Sequence, residues 1–107
     1  MKHNLTLQDV HIELEESERR INMSELRRTW ESIKIEPSLW QQNQYDTPER
    51  FWVIAIAGKY CLYFNYIEGG WGWGKFEPMG KIIEYQWEQE EIYEAFLWRF
   101  HELRIES

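Results

Sequence analysis

Apolar positions follow two regimes along the chain. Up to about residue 36 they are sparse and spaced as on helices; from Phe51 they crowd into short runs with alternating sides. Thr6 and Asp9 have the spacing of a capping box, and Leu7, Val10 and Leu14 follow at helical intervals. The alternation of Val10, Ile12 and Leu14 suits a short strand equally well. Ser24 is a second cap candidate, followed by Leu26, Trp30 and Ile33 on one helical face. Ile33-Lys34-Ile35 reads as already extended, because Pro37 disfavours a helical Glu36. Residues 37–50, with Gln41, Gln42, Asn43, Gln44, Asp46 and Pro48, read as a surface loop anchored by Leu39 and Trp40.

Phe51–Ala57 is a run of β-formers suited to a strand buried on both faces. Gly58-Lys59 fits a type II′ turn with glycine first. The chain then returns over 60–67, with Cys61, Tyr63, Asn65 and Ile67 on one side and Tyr60, Leu62, Phe64 and Tyr66 on the other. A turn at Glu68-Gly69-Gly70 leads to a third strand over 71–76, and Pro78 to Gly80 turns into a fourth over 81–87. A helix over about 89–104 ends the chain, with Ile92, Phe96, Phe100 and Leu103 as its core stripe. Trp98 lies on the opposite side of that helix, beside Ala95 and Ile105, and offers a face for a homodimer.

These elements predict one α+β domain over residues 1–107. It is a twisted antiparallel sheet of three to five strands from about 51 to 87, packed on N- and C-terminal helices. Met23 offers an alternative start, which would leave residues 1–22 as an N-terminal extension.

Composition narrows the function classes. The net charge of −7 is spread over both halves, with seven Lys/Arg against ten Asp/Glu up to residue 50 and five against nine beyond it. No basic tract offsets it, so duplex nucleic acid is not an expected partner. An acidic surface favours a basic protein instead. Arg19, Arg20, Arg27 and Arg28 sit among glutamates and are expected to pair within their helix. Cys61 is alone, which excludes an intrachain disulfide. The N-terminal residues lack a signal-like apolar run, and no stretch has the length of a membrane span, so a cytoplasmic protein is expected.

The candidate chemistry is that of recognition. Gly70-Trp71-Gly72-Trp73-Gly74 places two rings on one face of a strand and bare glycine on the other. The rings either cap the core or stack on a sugar or base. The run has neither the Lys-Ser/Thr of a phosphate loop nor the spacing of a dinucleotide site. Glu84, Glu88, Glu90, Glu91 and Glu94 form an acidic segment with no Lys or Arg between Lys81 and Arg99, interleaved with Tyr85, Trp87 and Tyr93. Glu90 and Glu91 also suit the start of a helix. His3, His11 and His101 are scattered, a Cys61/His101 nucleophile pair has no supporting spacing, and no metal-ligand motif occurs. No cofactor, metal or catalytic residue is assigned, and the chain is not expected to be an enzyme.

Phe51-Trp52-Val53-Ile54-Ala55-Ile56, Cys61 to Glu68-Gly69, Gly80-Lys81-Ile82-Ile83-Glu84-Tyr85 and Gln89 to Ile92 form a recognisable series. With Trp30, Ile33, Ile35, Pro37 and Trp40 upstream, it resembles a group of small bacterial proteins of the immunity-protein type. The chain departs from that group at Tyr66, where Asp is usual, and at Trp71-Gly72-Trp73-Gly74, where Phe-Asn is usual. The resemblance implies a partner of a bacterial toxin and carries over no site residues. Together with the acidity, it points to a non-catalytic inhibitor that binds a basic, nuclease-type toxin domain. Glu84, Trp87, Glu88, Glu91, Trp71 and Trp73 are the expected contacts. The alternatives are a carbohydrate or small-ligand module using a Trp71/Trp73 face, and an acidic mimic of nucleic acid that blocks a defence enzyme.

Overall fold

The computed structural model describes residues 4–86 and 88–106, with side chains placed up to Phe100. The fold is α+β, and its five-stranded sheet closes on itself as a small barrel. Two helices precede the barrel and one follows it. They are α1 (Leu7–Arg20), α2 (Ser24–Ile33) and α3 (Ile92–Glu106). The strands are β1 (Lys34–Gln42), β2 (Phe51–Ala57), β3 (Tyr60–Asn65), β4 (Gly70–Phe76) and β5 (Lys81–Tyr85).

The start of α1 resolves the helix-or-strand ambiguity. Thr6 Oγ1 accepts from the Asp9 amide at 3.1 Å while Asp9 Oδ2 accepts from the Thr6 amide at 3.1 Å, so two amides without helical partners are satisfied reciprocally. Ser24 does not cap α2. Met23 holds that position without a side-chain bond, and Ser24 is the first helical residue. Leu26 and Trp30 face the core as their spacing predicts.

Helix α2 passes directly into β1 at Lys34, so the stretch over 37–50 is a strand as far as Gln42 and a loop only beyond it. Pro37 hides this, since proline cannot donate to a ladder. It falls where the β1–β2 register shifts, between Lys34 and Ser38, and there its missing N–H is tolerated. Gln42 is buried and gathers the loop around itself. Its Nε2 donates toward the carbonyls of Tyr45, Thr47 and Glu49 at 3.2–3.3 Å, and its Oε1 accepts from the Tyr45 amide at 2.8 Å.

Strands β2 to β5 form an antiparallel meander, and β1 pairs antiparallel with β2. The barrel closes through a parallel pairing of Gln41 and Gln42 with Lys81 and Ile82. Beyond that short seam Tyr85 replaces strand pairing. Its hydroxyl accepts from the amides of Asn43 and Gln44 at 2.7 and 3.1 Å and lies 2.8 Å from Asn43 Oδ1. The Gly58 turn has φ +63° with no positive φ at Lys59, as a type II′ hairpin requires.

Closure gives every strand an inside and an outside. Trp40, Phe51, Val53, Cys61, Tyr63 and Ile82 fill the interior. The outer face carries Ile54, Ala55, Leu62, Phe64, Trp71 and Trp73 against Val10, Leu26, Trp30, Ile92, Phe96 and Phe100 of the helices. The two sides of β3 fall as the alternation predicts. Indole N–H groups tie the two layers together. Trp73 donates to the Ala95 carbonyl at 2.9 Å, Trp71 to Glu13 at 3.2 Å and Trp52 to the Leu5 carbonyl at 2.8 Å, while Trp30 joins α2 to α1 through Glu18 at 2.7 Å. No helix among the described residues is long and apolar enough to cross a membrane.

Candidate partner-binding face

The six expected contact residues do not form one surface. Trp71 and Trp73 are 0% and 1% exposed, enclosed between the barrel and the helices, so neither ring is a platform for a partner or a sugar. The physical reason lies on the other side of β4. Gly70, Gly72 and Gly74 face inward, where a Cβ on Gly70 would come within 2.7 Å of Glu88 Cβ and one on Gly74 would meet the Glu84 carbonyl. The glycines let the segment after β5 lie close against β4, and the tryptophans supply the outer layer.

Glu84 is exposed at the Lys75 end of β4, where it lies 3.6 Å from Lys75 Nζ, its cross-strand neighbour. Glu88 lies against Gly70 and Gly72 at the opposite end of β4. Glu91 stands just before α3, ion-paired with Arg20, whose guanidinium also lies 4.3 Å from the centre of the Tyr93 ring. That interhelical pair replaces the intrahelical partner expected for Arg20, whereas Arg27 and Glu31 do pair along α2 at 3.0 Å. Trp87 lies outside the described residues, as do the side chains of His101, Leu103 and Ile105.

Glu88 has turned inward, and around it the structure assembles a site that the linear pattern missed. Its Oε1 accepts from Tyr63 Oη and from Asn65 Nδ2, both at 3.0 Å. Asn65 Nδ2 also donates to Tyr45 Oη at 3.2 Å, and Asn65 Oδ1 takes the amides of Ile67 and Glu68 at 3.0 and 3.2 Å. Glu68 stands near enough to the Tyr45 hydroxyl to raise its pKa. Three distant segments thus meet at one mouth of the barrel: the 43–50 loop, the β3–β4 turn and the stretch after β5.

Carboxylates act on each of the tyrosines at this mouth. Burial, then the Glu88 carboxylate, pushes the Tyr63 hydroxyl well above the ordinary phenol range. Burial raises Tyr45 as well, against the lowering hydrogen bond from Asn65 and with smaller upward contributions from Glu68 and Glu88. Partial burial and the Glu49 carboxylate raise Tyr66. Phe51 forms the floor, stacked on Tyr63 at 5.7 Å and edge-on to Tyr45 and Tyr66 at 6.3 and 6.2 Å. Glu49, Glu68 and Glu88 therefore stand among three tyrosines over an aromatic base.

One signal pointed to this place in advance. Asn65 is polar on the side of β3 that carries Cys61 and Tyr63, and the turn follows it directly. The arrangement suits a cationic guest, since carboxylates and the faces of phenol rings both attract Lys and Arg. Cys61 is buried inside the barrel and its thiol is pushed up to about 12 by burial, against a backbone hydrogen bond from Gly74. Among the described residues no group of three or more His, Cys, Asp or Glu is placed to hold a metal ion. Comparison of the chain with protein-family models, curated proteins and solved structures gave no match.

Proposed function

We propose that the protein is a non-catalytic inhibitor that binds a basic toxin domain, with the anionic mouth of the barrel as its contact. The observation that carries this reading is the hydrogen-bonded set of Tyr45, Tyr63, Asn65 and Glu88 at the mouth, with Glu68 acting on Tyr45 and Glu49 on Tyr66. Tyrosine supplies contact area at low entropic cost, and complementary charge speeds encounter with a cationic surface. The acidity of the whole chain acts in the same direction over longer range. Exposed Glu84 and Glu91 contribute to that field without belonging to the mouth.

The contact set differs from the one expected along the sequence. Glu88 is a support whose side chain is packed and hydrogen-bonded, so Glu88→Lys is expected to damage the fold. Glu49→Lys and Glu68→Lys test the reading. Capture from the source organism should retain a basic protein at low salt and release it at high salt. The double variant should lose that protein, and it should also fail to protect cells that produce it. Capture and protection unchanged by the double variant would defeat the proposal.

A further inference from the structure

The hairpin turn at the other end of the barrel carries the opposite charge. Ile33, Ala57, Gly58, Lys59, Tyr60, Lys75 and Arg99 line an open depression of about 430 Å³. Three other depressions mix charges, with Glu15, Glu18 and Glu36 beside Lys34, Glu13, Glu16 and Glu91 beside Arg20, and Glu49 beside Arg50. Among the described residues this one has no carboxylate in its lining, although the chain carries 19 acidic residues against 12 basic ones.

The cations are placed by the fold. Tyr60 and Lys75 are cross-strand partners on the outer face of the sheet, and Lys75 Nζ lies 5.7 Å from the centre of the Tyr60 ring. Helix α3 packs over the same face and lays the Arg99 guanidinium on that ring at 3.9 Å, with Arg99 only 2% exposed. Stacking fixes the plane of the guanidinium before any ligand arrives, which lowers the entropy lost on binding. Lys59 stands on the turn beside Gly58, where the space above the glycine is open. Ile33 and Ala57 give the depression an aliphatic side.

We propose that this depression binds a small organic phosphate. Its oxyanion would sit among Lys59, Lys75 and Arg99, and its apolar body against Ile33 and Ala57. A phosphate suits three converging cations better than a carboxylate does, because it spreads its charge over three terminal oxygens. The volume lies within the roughly 300–1,000 Å³ of small-molecule sites, more than a bare ion fills. At Lys75 a phosphate would compete with Glu84, 3.6 Å from Nζ.

The test is a titration of the whole chain, followed by amide NMR, with inorganic phosphate and with phenyl phosphate at ionic strength held constant with sodium chloride. Saturable shifts at Gly58, Lys59, Tyr60 and Lys75 are expected from both, with phenyl phosphate the tighter by about tenfold. Lys59→Ala and Lys75→Ala should each weaken phenyl phosphate by roughly tenfold, the size of one charge-assisted hydrogen bond. Glu84→Gln should tighten it several-fold; Lys59 and Glu84 are exposed and Lys75 is half-buried outside the core, so the fold is expected to hold in all three. Shifts that never saturate, or an affinity that neither lysine variant changes, would overturn the site. Equal affinity for the two probes would overturn the aliphatic contact.

Discussion

Gly74→Ala isolates why β4 alternates glycine with tryptophan. A methyl group there would collide with the Glu84 carbonyl and lie 3.0 Å from Ile82 Cγ2 and 3.3 Å from Tyr63 Cε1. The first of these partners is backbone, held in the β4–β5 ladder, so relief requires the two strands to part. Overpacking of this kind costs about 1–3 kcal/mol, and a backbone obstacle favours the upper end. Against it, alanine loses less chain entropy on folding than glycine, a gain of about 0.5–1 kcal/mol. The net is a loss of about 2 kcal/mol. For a urea slope of about 1.5 kcal/mol/M, that lowers the unfolding midpoint by roughly 1 M. Gly58→Ala is the control, because nothing lies within 4 Å of its added methyl and only its φ of +63° opposes the change. Its cost should be about 1 kcal/mol. Gly72→Ala should also cost less than Gly74→Ala, since its nearest neighbours, Glu88 Cγ at 3.0 Å and the Gln86 carbonyl at 3.3 Å, leave more room than the Glu84 carbonyl leaves at Gly74. A Gly74→Ala protein as stable as the parent, or no worse than Gly58→Ala, would refute the close-approach argument.

Three further outcomes follow from the contacts around the core. Trp73→Phe leaves the buried Ala95 carbonyl without its 2.9 Å donor and should lower Tm by about 10 °C, for a loss of about 2 kcal/mol; an unchanged Tm would contradict the role given to the indole. Glu13 and Glu18, both on α1, should respond to pH with opposite signs. Burial raises the folded pKa of Glu13 despite the Trp71 hydrogen bond, so its contribution is lost as pH rises through that value, and Glu13→Gln should match or exceed the parent at pH 7. For Glu18, burial also pulls upward, but hydrogen bonds from Trp30 and Lys34 together with the charges of Lys34 and Arg27 lower the folded pKa. Its contribution is present above the unfolded pKa and lost as pH falls through the folded one. Glu18→Gln should therefore cost about 1 kcal/mol near neutrality, discounted for the half-exposed Lys34, with the gap closing in acid. Denaturant melts at about pH 7 and pH 3.5 check both signs. Tyr85→Phe should speed amide exchange at Asn43 and Gln44, which lose their phenol acceptor, with little change in the β3 amides; equal exchange in both proteins would remove Tyr85 from the seam.

Local chemistry was legible along the chain wherever the signal and its partner lie close in sequence. The capping box at Thr6 and Asp9, the Gly58 hairpin and the two sides of β3 all have partners within a few residues. The barrel did not announce itself, because its closure joins Gln41 and Gln42 to Lys81 and Ile82 and leaves no periodicity in either stretch. Pro37 and the glutamines of β1 carry the composition of a loop, yet Gln42 is the buried centre of one. The acidic segment was legible as charge but not as direction. Whether Glu88 faces water or the barrel depends on the glycines opposite it, and their inward orientation is fixed only once both faces of β4 are covered. The mouth itself, drawn from residues 45, 49, 63, 65, 66, 68 and 88, has no contiguous trace in the sequence.

The short seam between β1 and β5 has a kinetic consequence. The meander from β2 to β5 joins neighbours in sequence, so its loops close at small entropic cost. The seam must bring together residues 40 positions apart for only two ladder pairs. It is therefore the step expected to form after the main folding barrier and to open first on the way out. Substitutions at Gln41, Gln42 or Tyr85 should accelerate unfolding while leaving the folding rate nearly unchanged. The lifetime of the native barrel, more than the speed at which it is made, is set at that seam.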